Sequence, residues 1–279
     1  MTKFKTHKKK GAAAITTAAV LALIALFGMA ACSNAAQPGT GTDGSTALPG
    51  APFVEDGASL ILSLDKLDIK VTVTTADNSS VRIEGCTETE LTSGTQTVLH
   101  AKGTRVILKG NIIKLDCFNN QLIALNVQGL TALERLYCYN NQLTALNVQG
   151  CTALKELWCS NNQLTALNVQ GLTALERLDC YNNQLTALNV QGLTTLYVLG
   201  CSNNQLTADA FKKLFDDLPV RAEGNNATCV LYTEESGVSE SNHTDFSAPS
   251  DLADAFNNAK NNKKWKMYKI NGRGYWVEI

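Results

Sequence analysis

Five cysteines recur through the middle of this chain at an interval of 21 residues that never changes. They are Cys117, Cys138, Cys159, Cys180 and Cys201, and each lies in the same local string of residues. A strict period of this length predicts a stack of similar coils, because one coil is too short to bury its own apolar side chains. The sequence therefore predicts an elongated repeat rather than a globule around one central core.

The string from Leu133 to Leu143 reads LERLYCYNNQL and fits the pattern L-x-x-L-x-L-x-x-N-x-L, with Cys at the third Leu position. Over roughly residues 112–206 this pattern resembles the leucine-rich repeat family, and it is most similar to the short internalin-type repeats of bacterial surface proteins. The resemblance implies an α/β, β-rich fold. We expect a right-handed solenoid of about five coils of 21 residues, with a β N-terminal cap and an α/β C-terminal cap.

The cysteine column is predicted to lie in the core. Leu136 and Cys138 alternate with Arg135, Tyr137 and Tyr139, which is the two-residue period of a strand. Free Cys usually behaves as a small apolar side chain. Disulfides are the less favoured alternative, because parallel neighbours keep their Cβ atoms about 4.8 Å apart, beyond the usual bridging distance. No His shares the repeat, so we expect no metal site.

An asparagine column falls where the chain leaves each strand. A stacked Asn is expected to satisfy buried backbone groups of the adjacent coil, which would otherwise be costly. Ligand binding by this column is the less favoured alternative. Its members are Asn120, Asn141, Asn162, Asn183 and Asn204.

The coils differ from one another mainly at the exposed strand positions that flank the buried Leu and Cys. In leucine-rich repeats these positions line a concave sheet on which the family generally binds ligands. Tyr, Trp and Arg dominate interface hot spots, so we predict a surface for a protein or glycan partner. The alternative is that exposed positions simply drift and that the aromatic residues pair across strands to stabilise the sheet. The candidate partner-binding residues are Phe118, Arg135, Tyr137, Tyr139, Trp158, Arg177 and Tyr181.

The first 31 residues have the layout of a secretory signal: five lysines, then an apolar run that ends in small residues. The string MAACS at 29–33 resembles a spirochaete-type bacterial lipobox, which implies lipidation of Cys32 after cleavage. A retained membrane helix and plain secretion are the alternatives. Residues 32–52 are rich in Gly, Thr, Ala, Ser and Pro, which predicts a flexible tether. We therefore expect an exported protein, lipid-anchored to the bacterial envelope and displayed on its outer surface.

Two flanking segments lack the full repeat. Residues 53–111 alternate as short strands and are predicted to form the N-terminal cap of a solenoid over 112–207. In 208–279 we predict an α/β C-terminal cap, with a helix from Ala208 to Leu218 capped by Thr207. A second helix begins at Asp251 with Ser250 as its cap. A hairpin then turns at Asn271 and Gly272.

Nothing in the sequence suggests catalysis or a cofactor. Removal of residues 1–31 takes five of the 24 basic residues, and against 25 acidic residues the charge becomes −6, which disfavours nucleic acid as a partner. The remaining histidines, His100 and His243, lie in different caps, and no catalytic motif is present. We expect a non-enzymatic, adhesin-like protein that binds the surface of a host or neighbouring cell. A periplasmic envelope scaffold is the second hypothesis, and an enzyme with a site near His243 is the third.

Overall fold

The computed structural model describes residues 50–279. The predicted signal segment, Cys32 and all but the last residues of the predicted tether lie outside this range. Over residues 50–279, neither helix has the length and apolar character needed to cross a membrane.

Sixteen strands and two helices make up the described chain. The strands before the repeats are β1 (Gly57–Leu62), β2 (Asp68–Thr75), β3 (Val81–Glu84), β4 (Glu90–Leu91), β5 (Gln96–His100) and β6 (Arg105–Lys109). The repeats contain β7 (Ile112–Asp116), β8 (Leu122–Asn126), β9 (Arg135–Tyr137), β10 (Ala145–Asn147), β11 (Glu156–Trp158), β12 (Arg177–Asp179) and β13 (Val198–Gly200). After them come α1 (Ala208–Asp217), β14 (Thr228–Thr233), α2 (Ser250–Asn261), β15 (Lys266–Ile270) and β16 (Trp276–Glu278).

A ten-stranded sheet runs along the repeats in the order β5-β2-β7-β9-β11-β12-β13-β14-β15-β16. From β7 to β15 every neighbouring pair is parallel, and the repeat strands pair with an offset of one full repeat. A second sheet of six strands has the order β10-β8-β1-β6-β3-β4. Each repeat therefore adds one strand to the long sheet, as the strict period requires.

The core of the repeats consists of apolar columns stacked inside the coils. The inner leucines of the repeat strands are fully buried, as are the cysteines two residues later. Other columns close the coil, such as Leu143 with Leu164 and Leu185, and Val148 with Val169 and Val190. Because each column contacts the next coil, burial that one coil cannot achieve alone is shared along the stack.

Backbone conformation explains why an Asn-Asn pair follows each strand. The first Asn of every pair adopts a left-handed conformation, with φ between 52° and 59° at Asn119, Asn140, Asn161, Asn182 and Asn203. Among residues with a side chain, Asn tolerates this conformation best. The first Asn therefore makes the turn, and the second Asn is left to make hydrogen bonds.

Several local predictions are confirmed and one is wrong. The short strands predicted over 53–111 are present, and α1 begins after Thr207, whose hydroxyl accepts a hydrogen bond from the Ala210 N–H at 3.2 Å. Ser250 does not cap α2. The capping position is Pro249, which provides no side-chain hydrogen bond, and Ser250 is already helical. In addition, β14 and β15 continue the parallel sheet of the repeats, which was not predicted from the sequence.

Candidate binding face

The second Asn of each pair joins consecutive coils through its side-chain amide. Asn162 Nδ2 donates to the carbonyl oxygens of Cys138 and Cys159 at 3.1 and 3.0 Å, and its Oδ1 accepts from the Leu143 N–H at 2.9 Å. Asn141, Asn183 and Asn204 make the same set of bonds one coil earlier or later. The asparagine column thus satisfies backbone groups that secondary structure leaves unpaired.

Both ends of this column extend beyond the repeats. Asn120 accepts from the Lys70 N–H at 2.8 Å and donates to the Lys70 carbonyl at 2.7 Å, which joins it to β2. At the other end, Asn242 accepts from the Leu206 N–H at 2.9 Å and donates to the Cys201 carbonyl at 2.9 Å. Sequence analysis missed Asn242, because it falls outside the 21-residue interval and no repeat string surrounds it.

The cysteine column lies inside the stack. Eight cysteines of the described chain are free thiols, and all eight are buried. Burial raises the pKa of the Cys138, Cys159 and Cys180 thiols well above the ordinary value and that of Cys151 to about 12. A neutral thiol is a weak nucleophile and a poor metal ligand, so the column has the properties of core packing.

The outward side chains of the repeat strands form what we call the exposed sheet face. It comprises three columns in strand order: Lys114, Arg135, Glu156, Arg177, Val198; Asp116, Tyr137, Trp158, Asp179, Gly200; and Phe118, Tyr139, Ser160, Tyr181, Ser202. The third column is predicted to be exposed throughout, but the small side chains of Ser160 and Ser202 are buried. Strand pairing places the members of the first two columns side by side on neighbouring strands. Most sequence differences between coils therefore fall on one surface.

Four of the predicted anchors form one aromatic cluster. Phe118 and Tyr139 stack with ring centroids 4.8 Å apart and planes 3° apart, and Tyr137 and Trp158 approach to 4.6 Å. Tyr139 and Trp158 connect the two pairs at 6.3 Å. The sequence pattern predicts that these residues are exposed to solvent. In the structure they are only partly exposed, because their rings cover one another. Cross-strand pairing, the alternative interpretation, is thus physically present, and it also holds the rings rigidly at the surface.

The other three predicted anchors lie outside this cluster. The Tyr181 hydroxyl accepts a hydrogen bond from Asn161 Nδ2 at 3.0 Å. Arg135 lies 3.8 Å from Glu156, which also accepts from the Tyr137 hydroxyl at 2.7 Å. Arg177 donates to the Tyr197 hydroxyl at 2.8 Å and lies over the Tyr197 ring. Arg177 is therefore held by a side chain of this protein, whereas Arg135 stays exposed to solvent beside Glu156.

Asp179 sits at the edge of the aromatic cluster in an unusual environment. Its strand neighbours are Trp158 and Gly200, and a Cβ atom built on Gly200 would lie 2.8 Å from the Asp179 Oδ1. Burial raises the pKa of the Asp179 carboxyl to about 7, and a hydrogen bond from the Tyr181 backbone N–H opposes this only in part. Burial also raises the pKa of Asp116, three strands away in the same column, where the charge of Lys114 acts in the opposite direction.

The basic aromatic stretch near the C-terminus is largely engaged inside the fold. Trp265 is buried and donates from Nε1 to the Pro219 carbonyl at 2.8 Å. Lys263 donates to the carbonyl oxygens of Phe215 and Asp216, and Lys269 pairs with Glu234 at 2.8 Å. These contacts attach the last strands to α1 and β14, and they do not gather the charges into one patch.

The two histidines of the described chain make separate contacts. His100 is paired with Glu88, a contact that raises the pKa of His100 and lowers the pKa of Glu88 to about 2. His243 contacts the Asp245 carbonyl and packs edge-on against Phe246. Across residues 50–279, no group of three or more His, Cys, Asp or Glu side chains is arranged to hold a metal ion.

Comparison with known families agrees with the geometry of the stack. Residues 152–193 match the family model described as leucine-rich repeats in two copies. The chain contains leucine-rich repeats. The matched segment covers β11 and β12 and includes Trp158, Asp179 and Tyr181 of the exposed sheet face. No curated protein matches the chain.

Proposed function

We propose that this protein is a non-enzymatic binding protein whose exposed sheet face recognises a partner at the cell surface. The observation that carries the proposal is the coincidence of sequence variation with the aromatic cluster. The buried columns and the turns repeat with few changes, whereas most positions that differ between coils lie side by side on one surface. Drift at exposed positions would explain variation there but not the recurrence of Tyr and Trp, which are enriched at interface hot spots.

The architecture supports a rigid platform. Leucine-rich repeats commonly mediate protein binding. Here we interpret the stack as a solenoid of about five coils, closed by the strands of 53–111 and by the α/β segment of 208–279. The asparagine column joins each coil to its neighbours, and the aromatic rings are packed against one another before any partner arrives. A preformed surface loses little conformational entropy on binding.

The location of the protein is the second half of the proposal. The signal layout and the lipobox-like string at 29–33 support export and lipid attachment at Cys32, with residues 32–52 as a tether. We place the repeats on the outer surface, where an adhesin-like protein would meet a host or neighbouring cell. A periplasmic scaffold that uses the same face is the alternative, and it differs only in location.

Replacement of the aromatic residues tests the binding half. Tyr139, Trp158 and Tyr181 are changed to Ala together, and adhesion of protein-coated beads to host or neighbouring cells is measured. Adhesion should fall at least tenfold, as expected when hot-spot residues are lost. The matched control replaces the exposed Gln142, Thr144 and Gln163, which lie off the exposed sheet face. Equal losses in the two variants, with both still folded by circular dichroism, would contradict the proposal.

Protease treatment of intact source cells tests the location half. Antibody against the C-terminal segment should lose its signal while a known periplasmic protein survives. Protection of the segment until the cells are lysed would favour the periplasmic alternative instead.

A further inference from the structure

The second column of the exposed sheet face changes character between β11 and β13. It presents large rings at Tyr137 and Trp158, then a carboxylate at Asp179, then no side chain at Gly200. The Asp179 carboxylate leans towards β13 into the space that a side chain on Gly200 would fill, since the ideal Cβ position is only 2.8 Å from its Oδ1. The Asp179 carboxylate thus lies over Gly200, beside the Trp158 strand position of the aromatic cluster.

No cation of the protein neutralises this carboxylate. The ion pairs formed within residues 50–279 do not include Asp179, and its identified donor is the Tyr181 backbone N–H. Arg177 lies two residues earlier on the same strand, but its guanidinium is bonded to the Tyr197 hydroxyl. A carboxylate removed from water without a cationic partner is unfavourable, and a cation brought by a ligand would relieve this.

We propose that the Asp179 carboxylate, together with the ring of Trp158 on the neighbouring strand, receives one guanidinium or ammonium side chain of a protein partner. The inference rests on the proposed function and names the chemistry of its ligand. The cation would be hydrogen-bonded by the Asp179 carboxylate and would lie near the Trp158 ring, an arrangement in which charge pairing and cation–π attraction act together.

The surrounding charges select a single basic side chain rather than a polycation. Lys114, Arg135 and Arg177 lie in the neighbouring column, so an extended polyamine or amino-sugar polymer would meet repulsion on one side. A neutral glycan brings hydroxyl groups, which compensate a desolvated carboxylate less well than a cation does. A protein surface of mixed charge, with one Arg or Lys opposite Asp179, fits both features.

Binding of the cation requires the ionised carboxylate, so it should strengthen between pH 6 and 8. Other charged groups near Asp179 include Arg177 on the same strand, Glu156 on β11, Glu235 and Glu240. Burial raises the pKa of Tyr181 and of the Cys159 thiol beneath the sheet, and a hydrogen bond with Cys229, with burial, raises that of Cys201. The charges of Asp179 and Glu235 also raise the pKa of Tyr181, and those of Glu240 and Asp179 likewise raise the pKa of the Cys201 thiol. Of these shifted groups, only Asp179 changes charge near neutral pH.

The test uses the full chain in mild detergent, labelled with ¹⁵N-glycine, and two short peptides that differ only in a central arginine or citrulline. The amide signal of Gly200 is assigned by its loss in Gly200→Ala. The arginine peptide should move this signal saturably, about tenfold more tightly at pH 8 than at pH 6, following the ionised fraction of Asp179. The citrulline peptide, which has the same shape without the charge, should not.

Asp179→Asn should abolish the response to the arginine peptide, whereas the matched variant Asp116→Asn, in the same column, should retain it. Equal shifts with citrulline, an unchanged response in Asp179→Asn, or stronger binding of a glucosamine tetramer than of the arginine peptide would each overturn the inference. The two proposals are separable in the bead assay. If Asp179→Asn beads adhere like the wild type while the aromatic variant does not, the proposed function stands and this inference fails.

Discussion

The Asn183 side chain donates a hydrogen bond to the Cys159 carbonyl of the preceding coil at 3.1 Å and to the Cys180 carbonyl of its own coil at 3.1 Å. Its Oδ1 accepts from the Leu164 N–H at 3.0 Å. One buried amide thus joins two coils at a corner where strand pairing has ended. Repeated along the stack, this arrangement explains why the Asn is retained while neighbouring surface positions change.

Asn183→Ala should destabilise the protein by about 3 kcal/mol, because it leaves two carbonyl oxygens and one N–H of the corner without their partner. The adjacent exposed variant Gln184→Ala should stay within about 0.5 kcal/mol of the wild type. Urea unfolding followed by circular dichroism measures both free energies of unfolding. Similar values for the two variants would mean that water replaces the amide at no cost.

The turn conformation of the first Asn in each pair gives a second prediction. Asn161 has φ of 54°, which Gly adopts freely and a β-branched residue resists. Asn161→Val should therefore lower the free energy of unfolding by about 1–2 kcal/mol more than Asn161→Gly does. Both variants lose the hydrogen bond to Tyr181, so the difference in thermal unfolding between them isolates the backbone effect. Equal unfolding temperatures would argue against a left-handed residue at this position.

The buried thiols should be unreactive towards thiol reagents in the folded protein. Cys117, Cys138, Cys159, Cys180 and Cys201 are fully buried, and their pKa values are raised above the ordinary value, so little thiolate is available. A maleimide should label none of them until denaturant is added, as judged by mass spectrometry of tryptic peptides. Rapid labelling of native Cys159 would show that the stack opens locally or that the column is not in the core.

The core role of the column can be measured separately. Cys159→Ser places a hydroxyl among apolar neighbours and should cost about 1–3 kcal/mol of stability. Cys159→Ala removes the sulfur without adding a polar group, and its loss should be smaller. A serine variant as stable as the alanine variant would contradict a dry, apolar environment for this side chain.

The raised pKa of Asp179 predicts that the free energy of unfolding falls as the pH rises towards neutral. Its pKa rises from an ordinary value of 3.8 to about 7 in the folded protein, so the folded state holds the proton more tightly. This contribution to stability is fully present below about pH 4 and is lost as the pH rises through 7, by at most about 4 kcal/mol. The free-energy difference between Asp179→Asn and the wild type should therefore grow in favour of the variant from pH 4 to 8. A difference that stays constant with pH would mean that the carboxylate is not desolvated.

Much of this architecture can be predicted from the sequence, because each buried position of the repeat recurs five times. The period fixes the stack, the Leu and Cys alternation fixes the strands, and the Asn column marks the corners. Prediction fails where a contact depends on residues without a periodic partner, as with Asn242 and with the parallel pairing of β14 and β15.

The candidate face could be predicted only in part from the sequence, for a similar reason. The columns of variable residues follow from the period, but ring packing and charge pairing depend on side-chain conformations. Arg135 and Arg177 are predicted to face a partner, and the structure adds that they contact Glu156 and Tyr197. Asp179 looked like ordinary surface variation, and its desolvation depends on Trp158 and Gly200 on the adjacent strands.

The most direct test of the central claim is site-specific photo-crosslinking on living source cells in contact with host or neighbouring cells. A benzophenone amino acid is placed at Tyr139 on the exposed sheet face or at Thr165, which is exposed and lies off that face. The account predicts a discrete protein adduct from position 139, suppressed by excess unlabelled protein but not by the aromatic triple variant, and no such adduct from position 165. Equal adducts from both positions, or an adduct from position 165 alone, would contradict recognition through this face.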